Sequence, residues 1–449
     1  MQYETNSKLV KPNDIFVAIK GEHYDGHTFI NEAIQNGATR IIGQEDIKGI
    51  KNYKKVKSSE RYLTKVISKE NKVLTKDMKI IGITGTKGKS TTAMILYQML
   101  KLLKVNAAYI GTLGLYYNDT ILSLDNTTPD ILALNKIFKK LKSENITHVI
   151  MEVSSHSLVQ NRIKGLNFCA EAFTNLSQDH LDFHENMQNY LKAKIKILKH
   201  LKGKIVLNND DGASDCFKKK TNKYITVGNM GNFQIDSFQL YQTGTIINFE
   251  HQYSKYTVAI PLVGKHNIYN YLMAVALCTY LGYDLLDIIN ITNSLKGIKG
   301  RNELIKSDKG YAVIDYAHSP KAVEETLLTY NELKTGKIIT IIGCGGNRDK
   351  TKRPIMGQIA TKYSNYVIFT SDNPRDEDPN NILLDITKDL NTKNYEIIES
   401  RSKAIKKGVK LLKKHDYLLI LGKGHEDYQI IKNVKYHFDD KEEVLKYLN

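Results

Sequence analysis

The residues best suited to chemistry in this 449-residue chain stand together from Gly85 to Thr91, in the order Gly-Thr-Lys-Gly-Lys-Ser-Thr. An apolar run, Lys79–Thr84, precedes them, and Ser90–Lys104, with apolar residues at helical spacing, follows. Strand, glycine turn and helix in that order aim backbone N–H groups and the positive end of a helix dipole at one spot, which favours phosphate. Lys89 can neutralise phosphate charge there, and the Ser90 hydroxyl is placed to bind Mg²⁺. The full Walker pattern asks for one more glycine where this chain has Ile83, so the match is to a shortened G-x-x-G-K-S loop. A chance glycine-rich turn is the alternative, and the flanking strand and helix weigh against it.

Such a loop needs a sheet to hold it. After the phosphate loop, strands are expected at Thr147–Val153, Ala170–Thr174 and Lys204–Leu207 with helices between, the alternation of a mostly parallel sheet. Tyr241–Ile260 alternates like an antiparallel hairpin. Before the loop lies a small α/β unit: strand Ile15–Ile19, a Gly/Asp turn, helix Phe29–Asn36 and strand Arg40–Ile42. A lysine-rich stretch with little hydrophobic patterning, Lys48–Lys57, follows it. Beyond Lys299, strands at Ala312–Ile314, Lys337–Ile342, Tyr366–Phe369 and Tyr417–Leu421 alternate with helical patterns and read as a Rossmann-type open sheet. The expectation is an α/β protein of three domains, 1–78, 79–299 and 300–449, the number that the length suggests.

Composition narrows the class. Lys and Arg number 65 against 48 Asp and Glu, a net charge of +17, and 41% of residues are hydrophobic. The longest apolar stretch, Tyr271–Tyr283, falls short of the ~20 residues of a spanning helix, and Met1–Lys11 has no apolar leader core. No membrane insertion is expected, and the location implied is the cytoplasm. Cys169, Cys216, Cys278 and Cys344 show no CxxC spacing and read as reduced thiols. The lysines are spread along the chain with no nucleic-acid recognition motif. A solvated basic surface or a polyanionic small substrate accounts for them better than nucleic acid.

Further segments accompany the loop: Asn126–Pro129, Met151–Arg162, Phe173–His184, Tyr190–Lys194, Gly264–Asn270, Lys299–Glu303 and Asp315–Pro320. Together they resemble the Mur ligase family, the ATP-dependent amide-bond synthetases that build the peptide of bacterial peptidoglycan. Gly343–Pro354, Ser371–Arg375 and Gly422–Gln429 are most similar to the members that add the third peptide residue, often meso-diaminopimelate, to UDP-MurNAc-L-Ala-D-Glu. The resemblance covers nearly the whole chain. It implies an N-terminal UDP-binding domain, a central ATPase domain and a C-terminal amino-acid domain.

The resemblance also assigns roles. ATP would be held by Gly85, Thr86, Lys87, Gly88, Lys89, Ser90 and Thr91, and by Asn267, Asn270, Arg301, Asp315 and His318. The catalytic set would be Lys89, Glu152, His180 and Lys194. One Mg²⁺ would be ligated by Ser90, Glu152 and His180, and a second by Lys194 once carbon dioxide has converted it to a carbamate. An amphipathic helix with exposed lysines is the plain alternative for Lys194, and repulsion from Lys192, Lys196 and Lys199 would lower its pKa. Amides can bond adenine edges, Asp315 can accept from ribose hydroxyls, and Arg301 could reach the γ-phosphate once the domains close.

Thr127, Thr128, Ser154, Gln160 and Arg162 resemble the groups that hold the MurNAc-dipeptide, with Ser7 and the Gly21–His27 segment at the UDP end. There the chain departs from the family: the usual Asp-Ser-Arg is Asn6-Ser7-Lys8, and the stretch before it is shorter than is common. Three expected strands end in the C-terminal loops, and open α/β sheets bind ligands beyond strand carboxyl ends. Arg348 and Arg375 would answer the distal carboxylate of diaminopimelate, and Asp372 or Glu426 its ammonium, with Asn373 and Gly422 beside them. Lysine lacks that carboxylate, so an uncompensated Arg375 would repel its ammonium.

The reading is an ATP- and Mg²⁺-dependent ligase, acting as a monomer, that adds meso-diaminopimelate to the D-Glu of UDP-MurNAc-L-Ala-D-Glu through an acyl phosphate. A lysine-adding or folylpolyglutamate-synthetase-like ligase is the near rival. A basic nucleotide or nucleic-acid binder is the rival from another class.

Overall fold

The computed structural model describes residues 2–21, 24–432 and 434–448, so Glu22 and His23 of the Gly21–His27 segment lie outside the described residues. The chain forms two compact units. The first takes Met1–Gly82, Asn106–Cys169 and Lys196–Gly203, and the second Ile83–Val105, Ala170–Ile195 and Lys204–Asn449.

In the first unit, Tyr3–Glu4, Ile15–Val17, Arg40–Gly43 and Tyr53–Lys55 form a four-stranded sheet, parallel and in sequence order. Alternation along Ile15–Ala18 sends Ile15 and Val17 to one face, packed with Leu63 and Ile67 of helix Ser59–Leu74 and Ile131 and Leu132 of helix Ile131–Ser143. Phe16 and Ala18 turn to the other face, against Ile30 and Ala33 of helix Ile30–Gln35. Tyr53–Lys55 is a strand that the sequence reading passed over. The unit also holds His148–Glu152 paired in parallel with Ala107–Gly111, which pairs antiparallel with Gly114–Tyr117 and on to Thr120–Leu122. Strand Lys79–Thr84 lies next to His148–Glu152 in sheet order.

In the second unit, sheet order continues from Phe168–Phe173 through Leu201–Asn208 and Tyr224–Val227 to three antiparallel strands, Phe233–Tyr241, Gly244–His251 and Ser254–Ile260. The expected hairpin is thus a three-stranded meander that begins earlier, because Phe233–Tyr241 exposes much of both faces and its apolar alternation is weak. Helix Lys89–Leu102 packs on Lys265–Tyr280, with Met99 Sδ 4.0 Å from Cys278 Sγ.

A second sheet in this unit has the order Glu303–Ser307, Gly310–Asp315, Tyr417–Leu421, Ile338–Ile342, Tyr366–Phe369, Tyr395–Ile397. Its first pair is antiparallel and the rest parallel. Val313, Ile342 and Leu419 pack on one face and Ile314, Ile341 and Ile420 on the other, so both faces are covered, as the Rossmann-type expectation requires. The chain runs outward from Ile338–Ile342 and returns on its other side as Tyr417–Leu421. The loops after these two strands therefore flank the switch point where such sheets bind ligands. Among the described residues, no helix is long and apolar enough to cross a membrane.

Candidate active site

The phosphate loop sits in the second unit. Gly88 has φ +81°, and a Cβ there would come within 2.3 Å of Asn270 Oδ1, so only glycine fits this turn. Asn270 also accepts from Thr92 Oγ1 at 3.2 Å and donates to Asn267 Oδ1 at 3.0 Å, while Asn267 Nδ2 donates to Val263 O at 2.8 Å. Both amides are buried. They brace the loop from helix Lys265–Tyr280, a role the sequence reading did not include beside adenine contact. Across the loop, Lys87 N donates to Asn175 Oδ1 at 2.9 Å and Thr86 N to Asn175 O at 2.9 Å.

Four basic side chains meet this loop. Lys89 Nζ donates to the carbonyls of Gly85 (3.1 Å) and Thr86 (3.0 Å), and Lys194 Nζ to Gly85 O at 2.7 Å. Lys87 Nζ pairs with Asp179 Oδ2 at 3.2 Å, and Arg301 Nη2 donates to Ser90 Oγ at 3.3 Å. Burial opposes ionisation of Asp179, yet the Lys87 ammonium beside it holds its carboxyl below the carboxylate range. Positive charge concentrated on backbone amides at a helix start suits a polyphosphate and satisfies the fit for ATP.

Lys194 is 1% exposed, and its ammonium lies 4.4 Å from the centre of the Tyr190 ring. Its pKa falls well below the ordinary lysine value, through burial first and then Lys89. This corrects the expected cause: the neighbours on its own helix are not what depresses it, and it is not on an exposed lysine face. His180, at φ 54°, is half-exposed at the start of the short helix Leu181–His184.

His318 is driven well below the ordinary histidine pKa, by burial and then by Lys87, and is neutral at pH 7. Its Nδ1 lies 2.8 Å from Tyr316 O and must carry the proton, which leaves Nε2 as the acceptor nitrogen. Asp315 accepts from Asn302 N (2.8 Å) and Ala317 N (2.9 Å), so both its oxygens already support the turn around Arg301 and His318.

In the first unit, Glu152 ends strand His148–Glu152 and is fully buried. Its Oε1 accepts from Tyr109 OH and from Thr112 N at 2.9 Å, and Oε2 from Thr112 Oγ1 at 3.1 Å. Thr112 Oγ1 is 2.9 Å from Thr127 Oγ1. Thr128 Oγ1 donates to Glu152 O at 2.8 Å and accepts from Ser154 N at 3.0 Å, while Ser154 Oγ accepts from Ser157 N at 3.1 Å to cap Ser155–Val159. Arg162 donates from Nη1 to Thr128 O (2.8 Å) and from Nε to Gln160 Oε1 (2.9 Å). Thr127, Thr128, Ser154, Gln160 and Arg162 therefore form one network with Glu152. Ser7 is separate from it: its hydroxyl donates to Glu32 Oε2 and its carbonyl accepts from Asn36 Nδ2 at 2.9 Å.

The C-terminal loops of the second unit converge as expected, except that Arg348 is exposed on its loop. Asn373 Nδ2 donates to Glu426 Oε2 at 2.8 Å, and Arg375 Nη1 donates to Gly346 O at 2.8 Å. Gly422 has φ +114°, and a Cβ there would lie 2.6 Å from Asp372 Oδ2, which seats that carboxylate over the turn. Sequence reasoning missed Tyr109 and Thr112, which carry Glu152, and Asp179, which pairs with Lys87. It also missed Tyr190, Tyr316 and Lys423, although each lies inside a segment that carried the resemblance. Among the described residues, no three His, Cys, Asp or Glu side chains gather as a metal-ligand group.

A phosphate loop on a parallel sheet, with a doubly wound sheet whose switch-point loops are polar, defines a nucleotide-binding α/β enzyme. Residues 2–83 match the Mur ligase family catalytic domain, 83–278 the Mur ligase middle domain and 300–424 the Mur ligase glutamate ligase domain. The chain is 39% identical to UDP-N-acetylmuramoyl-L-alanyl-D-glutamate--2,6-diaminopimelate ligase 2 of Clostridium acetobutylicum, over 99% of this chain and 94% of that protein. It is 38% identical to the corresponding 2,6-diaminopimelate ligase of Aquifex aeolicus, over 99% and 92%. A solved structure of a UDP-N-acetylmuramoyl-L-alanyl-D-glutamate--2,6-diaminopimelate ligase superposes with a TM-score of 0.70 at 29% identity, covering 100% of this chain and 94% of that one. The chain belongs to the Mur ligase family.

Proposed function

We propose that this chain joins meso-diaminopimelate to the γ-carboxyl of D-Glu in UDP-MurNAc-L-Ala-D-Glu and converts ATP to ADP and phosphate, in peptidoglycan precursor synthesis. The observation that carries the specificity is the meeting of Asp372, Asn373, Arg375 and Glu426 beside the switch point of the second sheet. The substrate's ammonium suits the two acids, and its distal carboxylate suits the Arg375 guanidinium. Lysine would leave that guanidinium unanswered.

The γ-carboxylate attacks the γ-phosphorus of ATP, the bond to ADP breaks, and an acyl phosphate forms. The amine then attacks the acyl carbon, loses a proton and expels phosphate. Lys87, Lys89 and Arg301 stabilise the phosphoryl charge, aided by the backbone from Gly85 to Thr91. His318 Nε2 accepts from a ribose hydroxyl, with Asp315 shaping its turn, and Asn267 and Asn270 serve the base end of ATP. Thr127, Thr128, Ser154, Gln160 and Arg162 hold the muramoyl dipeptide and Ser7 the UDP end. Arg348 adds charge at the mouth of the amino-acid site and Gly422 gives its floor.

Ser90, Glu152 and His180 are the proposed ligands of one Mg²⁺, and Lys194 as a carbamate is the proposed ligand of a second. Bound Mg²⁺ would offset phosphate charge as a Lewis acid. A buried lysine of lowered pKa supports the carbamate, since only the free amine reacts with carbon dioxide. The proposed domains are 1–78 for UDP, 79–299 for ATP and 300–449 for the amino acid, in a cytoplasmic monomer.

The test is ADP or phosphate release with UDP-MurNAc-L-Ala-D-Glu and Mg-ATP, with meso-diaminopimelate, L-lysine or no amino acid in parallel, and mass analysis of the product. Turnover with diaminopimelate alone is expected. Turnover with lysine would retain the ligase mechanism and remove the specificity assignment.

A further inference from the structure

Lys423 lies between the two residues that the amino-acid site depends on. Its side chain is fully buried, an unusual place for an ammonium, and it is satisfied there by three acceptors: Asn373 Oδ1 at 3.3 Å, Glu426 Oε2 at 3.2 Å and the carbonyl of Tyr428. Three donors meet three acceptors. The bond to Asn373 Oδ1, reinforced by Ile430 N at 2.9 Å, fixes which way that amide faces. Asn373 Nδ2 therefore points to Glu426 Oε2, and that same oxygen receives Lys423. Glu426 is thus clamped through one oxygen by an ammonium and an amide.

We propose that Lys423 is a positioning residue for the amino-acid substrate: it orients Asn373 and clamps Glu426 through Oε2, so that Oε1 is presented to the ammonium of the incoming amino acid. The inference rests on the assignment of these loops to amino-acid binding, and it goes beyond it by giving the site an internal cation that never touches the substrate.

Electrostatics supports the geometry. Burial and then Asp372 push the Glu426 carboxyl up, and Lys423 and Asn373 draw it back. The other ionisable groups around Glu426 are Tyr316, Tyr428 and the buried Arg401. The Arg401 guanidinium is already bound to Asp440 at 2.7 Å, and the Arg375 guanidinium, beside Tyr428, donates to Gly346 O at 2.8 Å. Without Lys423 the Glu426 carboxyl would lose the bonded ammonium that draws its pKa back down.

The experiment compares wild type with Lys423→Met and Lys423→Arg in steady-state turnover, varying diaminopimelate, ATP and UDP-MurNAc-L-Ala-D-Glu in turn at about pH 7 and about pH 9. The expected result for Lys423→Met is a KM for diaminopimelate raised about tenfold or more near pH 7, a gap that narrows at high pH as Glu426 ionises, and KM values for the other two substrates within about twofold. Lys423→Arg restores most of the loss. Thermal unfolding and ATP binding of each variant report whether the fold is kept. An unchanged KM for diaminopimelate, or an equal loss for all three substrates without pH dependence, overturns the proposal. Failure of wild type itself to use diaminopimelate overturns the parent assignment, and this inference with it, and is visible in the wild-type arm alone.

Discussion

Arg301 Nη2 reaches the Ser90 hydroxyl at 3.3 Å while its guanidinium carbon lies 4.4 Å from the centre of the Tyr316 ring. This puts the guanidinium at the head of the phosphate loop. The ring explains how: a planar cation stacked on an aromatic face is held in direction without consuming its N–H donors. Tyr316 also packs on His425 at 5.0 Å between centroids, and His425 sits in the turn that carries Lys423 and Glu426. One tyrosine therefore touches both Arg301 at the phosphate loop and the turn that carries Lys423 and Glu426.

Replacing Arg301 by Lys keeps the charge and loses the stack and the fork. The expected outcome in phosphate-release assays is a fall in kcat of about 10²-fold, the scale of one misplaced donor to a developing oxyanion, with a smaller change in the KM for ATP. A variant with normal kcat would mean that Arg301 only ties the junction segment to Ser90.

Thr128→Val removes the donor to Glu152 O and the acceptor for Ser154 N while keeping shape. A stability loss of about 1–3 kcal/mol in denaturant melts is expected, the cost of leaving buried polar groups unpaired. The KM for the nucleotide-sugar dipeptide should rise with that for ATP unmoved, because Ser154 N leans on the lost hydroxyl, while the Arg162 bond to the backbone carbonyl of residue 128 is kept.

Local features were legible in the sequence and long-range partners were not. The phosphate loop could be read because strand, turn and helix are contiguous. So could the C-terminal loops, because each follows an apolar run. Lys194 was placed on the right kind of helix but given the wrong neighbours: its burial and its approach to Lys89 and Gly85 arise from folding across about a hundred residues of chain, which no local spacing encodes. The same holds for Tyr109, whose hydroxyl meets Glu152 from the adjacent strand. Strand Tyr53–Lys55 was missed because it is an edge strand, exposed at Lys54 and Lys55, and edges shed the apolar alternation that marks inner strands.

Glu171, on strand Phe168–Phe173, is fully buried, and among the described residues neither of its oxygens has a hydrogen-bond partner. Burial raises its pKa well above the model-compound value of 4.5. The folded state holds the proton more tightly than the unfolded chain does. The stability attached to this group is therefore complete below about pH 4.5 and is lost as pH rises toward the folded pKa. Glu171→Met should raise the melting temperature more at about pH 8 than at about pH 5, with a gain of about 1–3 kcal/mol at the higher pH. A gain independent of pH would contradict the assignment.

Arg401 and Asp440 are both fully buried and joined by two bonds of 2.7 Å, and Arg401 Nη2 also donates to Leu421 O at 3.1 Å, just before the Gly422 turn. Asp440→Ala leaves a guanidinium without its counter-charge. The expected cost is about 3–5 kcal/mol in chemical denaturation, as for other broken buried pairs.

Under the proposed function Arg375 is the residue that separates diaminopimelate from lysine, and its backbone complicates the test. It sits at φ 53°, its N–H donates to Ile430 O at 3.0 Å and its carbonyl accepts from Lys432 N at 2.8 Å, which stitches the loop to strand Tyr428–Ile431. An alanine at this φ would be strained, so a loss of activity could come from the stitch alone. Asparagine tolerates left-handed backbone and removes only the guanidinium. Arg375→Asn should therefore lower kcat/KM for meso-diaminopimelate by about 10²-fold, the worth of a lost charge-assisted pair with a carboxylate, while any turnover with L-lysine stays level or rises. The Nη1 bond to Gly346 O would also be lost, but that strut serves every substrate alike and cannot produce a difference between them. The ratio of the two kcat/KM values is thus the deciding quantity, and a ratio unchanged from wild type would place carboxylate recognition elsewhere, with Arg348 the next residue to replace.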